Sequence, residues 1–408
     1  MKRTILMVCS VMLFLCGIYC NEIYCEETNE MKIEKYTQEI KGNPKKASGY
    51  INRAEVYNDL EKYDLALSDI EEALSLDINK KDKEKALDQR IKANINKKFD
   101  EHEQSITKKE IFNDINKLFI LNPKNPKIYY RKGQYYLYCE NKYNISIYFF
   151  NKAISLIKND NKLLGSAIFS RAFGYFSLYE VNKNKMLYDK AIEDYSFIIN
   201  NLSDDIDSDI IQKCYLFRGL YYHIDDKNKE AAFNDYSNAI KIGKNDEVSC
   251  QSYYYRSKIY YDEKKYKNTI EDINNFCELL NKNNKKILNN KEEKKKSVFE
   301  SEYVESLSFL AESYYQTQDY NATIKTINSY MSKIAYPVRE LFTRGASYFN
   351  IGEYDFALKD FEALLNFNLD DESKKNVLEK IKQVKQLKKE KQLKKIKTEV
   401  FSDENIEF

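Results

Sequence analysis

One pattern governs what this chain can fold into: a block of apolar and small residues that returns, with wear, along nearly its whole length. Its cleanest copy runs from Tyr336 to Asp370. There Leu341, Gly345 and Tyr348 fall at helical spacing and, beyond Gly352, Tyr354, Ala357, Phe361 and Leu364 do so again. Two short amphipathic helices joined by a turn follow from that spacing. Equivalent positions recur at Ala54, Ile91, Gly133, Ala172, Gly219, Ser257 and Ala311, about 34 to about 54 residues apart, so insertions separate similar cores. A chain of 408 residues would ordinarily suggest about two or three globular domains, but repetition overrides that expectation. With only 10 Gly, 4 Pro and no long alternating run, the chain reads as all-α.

The order of residue types in that copy is a small Gly345, then Tyr348, a turn glycine at Gly352, small Ala357 and aromatic Phe361. It resembles a tetratricopeptide repeat (TPR), whose period is about 34 residues. The resemblance covers most of residues 46–370 and implies an α-solenoid of about eight TPR-like helix pairs in a right-handed superhelix. The pair beginning at Lys46 matches well, with Arg53, Ala54 and Tyr57 followed by Tyr63, Ala66, Ile70 and Ala73, whereas the next, Leu87 to Pro123, is the most worn. The small residue has a physical task, because the two helices of a pair cross closely there. Between Tyr175 and Tyr188 the turn is longer than the repeat allows, which predicts either an extended helix pair or a protruding loop.

The flanks depart from the pattern. Residues 21–45 read as a linker and a leading helix, with Tyr36, Ile40 and Pro44 placed as in a second helix that lacks its first. A polar insert lies near 281–297. Residues 371–398 predict a basic capping helix whose apolar edge is Val377, Leu378, Ile381, Val384 and Leu387, with a disordered tail at 399–408. Residues 1–20 read as a signal peptide or membrane anchor: Lys2 and Arg3 precede the apolar run Ile5 to Ile18, and polarity returns at Asn21 and Glu22. The chain is therefore expected to be exported, whether periplasmic, envelope-associated or secreted. Cys16 and Cys20 are candidate lipid acceptors, although bulky Leu15 and Tyr19 precede them. Of the remaining cysteines, Cys214 and Cys250 fall near the starts of neighbouring repeats, where export permits a bridge; isolated buried thiols are the simpler reading. With two distant histidines, His102 and His223, a metal site lacks its ligands.

In TPR proteins the first helix of each pair lines the inner wall. Carrying that register over places Tyr130, Tyr138, Phe169, Phe173, Phe176, Leu216, Leu220, His223, Tyr254, Tyr261, Phe342 and Phe349 in a concave, partner-binding groove. Such an apolar, aromatic wall suits an extended peptide or an amphipathic helix, though tyrosines also fill packing positions of the repeat. The Lys and Asn with which some TPR domains clamp acidic chaperone tails are replaced here by Ile51, Tyr130, Phe169, Leu216 and Tyr254. Arg53, Arg90, Arg171, Arg218, Arg256 and Arg344 precede the small position. A phosphate ladder is one reading, but their regularity argues for structural pairing with second-helix acids such as Asp69, Asp194, Asp235, Asp272 and Asp360.

No glycine-rich phosphate loop, HExxH motif or catalytic Cys–His pair is present, so no enzymatic activity, cofactor or small-molecule substrate is expected. A net charge of +2, together with export, argues against nucleic acid. The function expected is a protein–protein interaction scaffold of a bacterial cell envelope, binding a peptide or protein partner in the groove. The alternative is a membrane-surface protein recruited through lipidation or through the basic helix from Lys380 to Lys397.

Overall fold

The computed structural model describes residues 26–101, 108–224, 228–289 and 300–403. The leader expected at 1–20, His102, positions 290–297 of the polar insert and the last residues of the expected tail lie outside them. Among the described residues every element is helical and there is no strand. The chain divides into two compact units, with the boundary after Ser252.

Unit 1 opens with α1 (Glu26–Gly42). Five pairs follow: α2 (Ala47–Asp59) with α3 (Tyr63–Ser75), α4 (Lys80–Glu101) with α5 (Lys108–Leu121), α6 (Pro126–Gln134) with α7 (Tyr143–Leu156), α8 (Asn161–Asn182) with α9 (Lys185–Asn201), and α10 (Ser208–Ile224) with α11 (Lys229–Ile242). Helix α12 (Asp246–Asp262) contains the boundary. Unit 2 pairs its second half with α13 (Tyr266–Asn289), then α14 (Glu300–Gln316) with α15 (Tyr320–Tyr330) and α16 (Val338–Asn350) with α17 (Tyr354–Leu364), and ends on α18 (Asp371–Asp403). Eight pairs result, as the repeat implies.

The small position is explained by what faces it. A Cβ added to Gly133 would stand 2.4 Å from the Phe150 ring, one on Gly219 2.9 Å from Tyr236 and one on Gly345 3.1 Å from Phe361. The smallest residue therefore meets the largest. Where the facing register holds Ile70, Ile273 or Ile327, the small position widens to Ala54, Ser257 or Ala311; Ala172, at the register of Tyr195, departs from this trade. Cores are shared between neighbouring pairs. Leu87, Ile91, Ile111 and Ile115 of one pair share a buried cluster with Ile128 and Tyr135 of the next.

Among the described residues, six turns within pairs use one left-handed residue each: Glu61, Asn141, Lys183, Lys264, Gln318 and Gly352. In five of them the following N–H reaches back to the carbonyl of the repeat's tyrosine: Lys62 to Tyr57, Lys142 to Tyr136, Lys265 to Tyr260, Asp319 to Tyr314 and Glu353 to Tyr348. That bond closes the first helix and sets the entry angle of the second.

The long gap after Tyr175 is taken up by α8, which continues to Asn182, and no loop protrudes. Helix α6 ends in a π-helical turn, Tyr135–Cys139, that inserts one residue. At the far end, Val377, Ile381 and Val384 of α18 are buried against Leu341, Phe361 and Leu364, while Leu378 faces outward. α18 is helical to Asp403, past the tail expected from 399, and α13 carries the start of the polar insert as helix to Asn289. Among the described residues no helix is long and apolar enough to cross a membrane.

Candidate functional site

Unit 1 corrects the expected groove. Phe173 and Phe176 are only 1% and 0% exposed, and Phe169, Leu216 and Leu220 are buried as well. The cause is the close approach of successive first helices. Phe176 of α8 stacks on Tyr221 of α10 at 4.5 Å, and Phe169 lies 5.6 Å from Tyr195 and 5.7 Å from Phe217. These five side chains are core and not an accessible wall. Tyr130, Tyr138 and His223 stay partly exposed. Tyr138 stacks on Phe173 at 6.3 Å, and His223 Nδ1 lies 3.3 Å from the Tyr236 hydroxyl. Around Tyr130 the same register is polar: Arg131 donates through Nε to Asp88 at 2.7 Å and Lys92 pairs with Asp59 at 2.6 Å. Burial pushes the Asp88 carboxyl up, but the charge and hydrogen bonds of Arg131 outweigh it and hold the group below its usual range.

Unit 2 presents a different face. Tyr254 is buried, and its hydroxyl donates to Glu305 Oε2 at 2.6 Å; Glu305 Oε1 accepts from Lys258 Nζ at 2.9 Å. The Lys258 ammonium also lies 5.2 Å over the Tyr254 ring and 5.8 Å over Phe309. Tyr261 packs on Phe309 at 4.5 Å, and its hydroxyl accepts from Arg339 Nη2 at 2.6 Å; Arg339 stands 3.6 Å from Glu312. Phe342 leans edge-on against Phe361 yet remains 37% exposed, and Phe349 sits beside Tyr354 beneath Lys380. Burial, reinforced by Glu305, drives the Tyr254 phenol far up, so it stays a neutral donor. A recess of about 10 Å³ beside Arg339, lined by Ser308, Glu312, Tyr330, Glu340 and Thr343, has room for one water. The face built by α12, α14 and α16 is thus a lattice of rings and opposed charges, with donors and acceptors half open to solvent.

The arginines that precede the small position are committed to aspartates of the second helix. Arg53, Arg90, Arg171, Arg218, Arg256 and Arg344 fork onto Asp69, Asp114, Asp194, Asp235, Asp272 and Asp360, with Nε and Nη2 2.6–2.9 Å from the two carboxylate oxygens. The third nitrogen of four of them donates to the preceding second helix or its counterpart α1, at Thr37, Asn151, Ser196 or Asn328. Each such guanidinium ties three helices, which leaves no fork for a phosphate. Burial pushes the Asp194, Asp235 and Asp272 carboxyls up against the pull of their arginines. Arginine, small residue, tyrosine, left-handed turn and aspartate keep the same offsets at 53, 54, 57, 61 and 69, at 256, 257, 260, 264 and 272, and at 344, 345, 348, 352 and 360.

The fold is a TPR-like helical-repeat solenoid.

No family model matches the chain, and no curated protein does. Among solved structures, the apo form of RapI aligns over 78% of this chain and 86% of its own, at 13% identity and a TM-score of 0.49. A chain of the APC/C hetero-tetramer Cut9–Hcn1 covers 91% of this chain at 15% identity and a TM-score of 0.41; this chain spans 61% of its length. A tetratricopeptide repeat protein from Parabacteroides merdae covers 72% of this chain and 98% of its own, at 16% identity and a TM-score of 0.36.

Two of the TPR-like pairs lack the fork. In α6 and α7 the positions hold Lys132 and Phe149, and the ammonium lies 5.6 Å over that ring and 4.6 Å over Phe119, where burial lowers its pKa. In α14 and α15 they hold Leu310 and Thr326. Lys258, Glu305, Phe309, Glu312 and Arg339 are the site residues that an apolar reading of the wall leaves out. Lys258 and Glu312 directly follow the small position, where the register pointed to the wall and residue type hid them; Glu305 and Arg339 precede it by six and Phe309 by two, positions that register did not include. Cys139, Cys214 and Cys250 are buried thiols, and burial pushes the Cys277 thiol up to about 11. Among the described residues no group of three or more His, Cys, Asp or Glu is placed to hold a metal ion.

Proposed function

We propose that this chain is a protein-interaction scaffold that holds an extended segment of a partner along the first-helix face of unit 2, and that it works in the envelope of a bacterial cell. The observation that carries the reading is the lattice of Tyr261, Phe309, Lys258, Glu305, Glu312 and Arg339, with Phe342 exposed beside it. Rings supply contact area with few rotors to freeze, and half-open ion pairs trade solvent contacts for partner contacts at small cost. Backbone amides and mixed side chains of an extended peptide match such a face better than a uniformly apolar helix does. The envelope setting rests on the leader-like stretch Met1 to Tyr19.

The test is a photo-crosslinking amino acid placed at Phe342 and, as a control, at Phe356, an exposed ring on the opposite helix of the same pair. In envelope extract the Phe342 position is expected to give a discrete protein adduct that the Phe356 position does not. Lys258→Glu together with Arg339→Glu should abolish it while helicity is kept. Identical adducts from both positions, or none, would count against the face.

A further inference from the structure

We propose that the solvent face of α18 docks the protein onto an anionic lipid surface. This goes beyond the peptide-holding face and rests on none of its residues. At 33 residues α18 is about 50 Å long, whereas its partner α17 has 11 and spans about 16 Å. Capping the last pair needs only the first part of such a helix. One side is committed: Val377, Ile381 and Val384 are buried, Lys385 pairs with Glu362 at 3.1 Å, Lys388 pairs with Asp355, and Lys391 donates to the Gly352 carbonyl at 3.0 Å.

The other side carries a second stripe. Leu378, Lys382, Lys389 and Leu393 are spaced by four, seven and four residues, which sets them on one helical face, and all four are exposed, the leucines 48% and 49%. A helix that merely capped a solenoid in water would carry polar residues there. The sequence from 380 to 397 holds nine lysines and one acid, Glu390; with Lys385, Lys388 and Lys391 committed to the packed side, the rest of the stretch is still strongly basic. Charge complementarity therefore selects a polyanionic surface, and the exposed leucines at both ends of the lysine pair select lipid. Leucines can enter the acyl boundary while the lysine stems run along it and lift their ammonium groups to the phosphates.

The experiment is co-sedimentation of the full chain with vesicles of phosphatidylglycerol and phosphatidylcholine against vesicles of phosphatidylcholine alone. Variants of the same full chain are compared, so that any contribution of residues 1–20 cancels. Binding is expected only with the anionic lipid and is expected to weaken as salt rises. Lys382→Glu with Lys389→Glu should lower the partition coefficient roughly tenfold. Leu378→Ser with Leu393→Ser should lower it as well, without loss of helicity, because these side chains lie outside the packed edge. No binding to the anionic vesicles, binding unchanged in either double variant, or capture of single-stranded nucleic acid in place of vesicles overturns the proposal.

Discussion

The third and the eighth helix pairs solve one packing problem in two ways. In α16 and α17, Arg344 forks onto Asp360 and reaches Asn328 on the preceding helix. In α6 and α7 the same two positions hold Lys132 and Phe149, and the cation lies between two rings instead of on a carboxylate. The third pair then takes its link to a neighbour from elsewhere, through Arg131 of α6 onto Asp88 of α4. In both pairs the first helix carries a cation at this point with its charge answered, whereas the seventh pair, with Leu310 and Thr326 there, does without one. A carboxylate is one answer and a ring face is another, but they differ in what happens when the answer is removed. Losing the aspartate strands a guanidinium in a poorly solvated place, whereas losing the lysine leaves only apolar surface behind.

The largest effect should come from breaking the eighth pair. Asp360→Ala is expected to cost about 3–5 kcal/mol, and Asp360→Leu combined with Arg344→Met to recover most of that, as read by urea unfolding. If the double variant is as unstable as the single one, stranded charge is not the cause. In the third pair, Gly133→Ala should cost about 1–3 kcal/mol, because its Cβ would meet the Phe150 ring at 2.4 Å. The fully apolar Lys132→Met should cost about 1 kcal/mol or less, and a loss as large as that of Asp360→Ala would erase the distinction drawn here.

The smallest effect is one of pH. Asp88 has a folded pKa below its unfolded value, so its stabilisation is fully present above the ordinary carboxylate range, near about 4, and is lost as pH falls through the lower folded value. Melting temperatures measured from neutral to acid should therefore fall less steeply in Arg131→Gln than in the unaltered chain. An equal fall would remove Asp88 from the account.

Much of the fold was legible because the repeat writes its contacts at fixed offsets. Asp69, Asp272 and Asp360 lie 16 residues beyond their arginines, while Asp235 lies 17 and Asp194 23 beyond, placed by the second-helix pattern of their own pairs; Asp114 escaped because the pattern of its pair is worn. Only one left-handed turn announced itself, at Gly352. Asn141 is of a type that tolerates the left-handed region, whereas Glu61, Lys183, Lys264 and Gln318 are residues that no turn rule singles out. The site was less legible for a different reason. Whether Phe173 and Phe176 line a wall or fill a core depends on the distance between successive first helices, which local spacing does not encode. The lattice of unit 2 joins residues as far apart as Tyr261 and Arg339, 78 positions along the chain, so its charge pairing exists only once three helices stand side by side.

The widened turn at Tyr135–Cys139 has a consequence for how such a chain tolerates change. One surplus residue there delays the left-handed position to Asn141 and the ring to Phe149, yet cation and ring still meet. The helix has swallowed a length error within a single coil, and α7 starts again in step. A molecule built this way is read modulo its own period: an odd residue gained or lost in one pair is cancelled before it reaches the next, so the register of the whole is renewed at every turn and not inherited from the beginning.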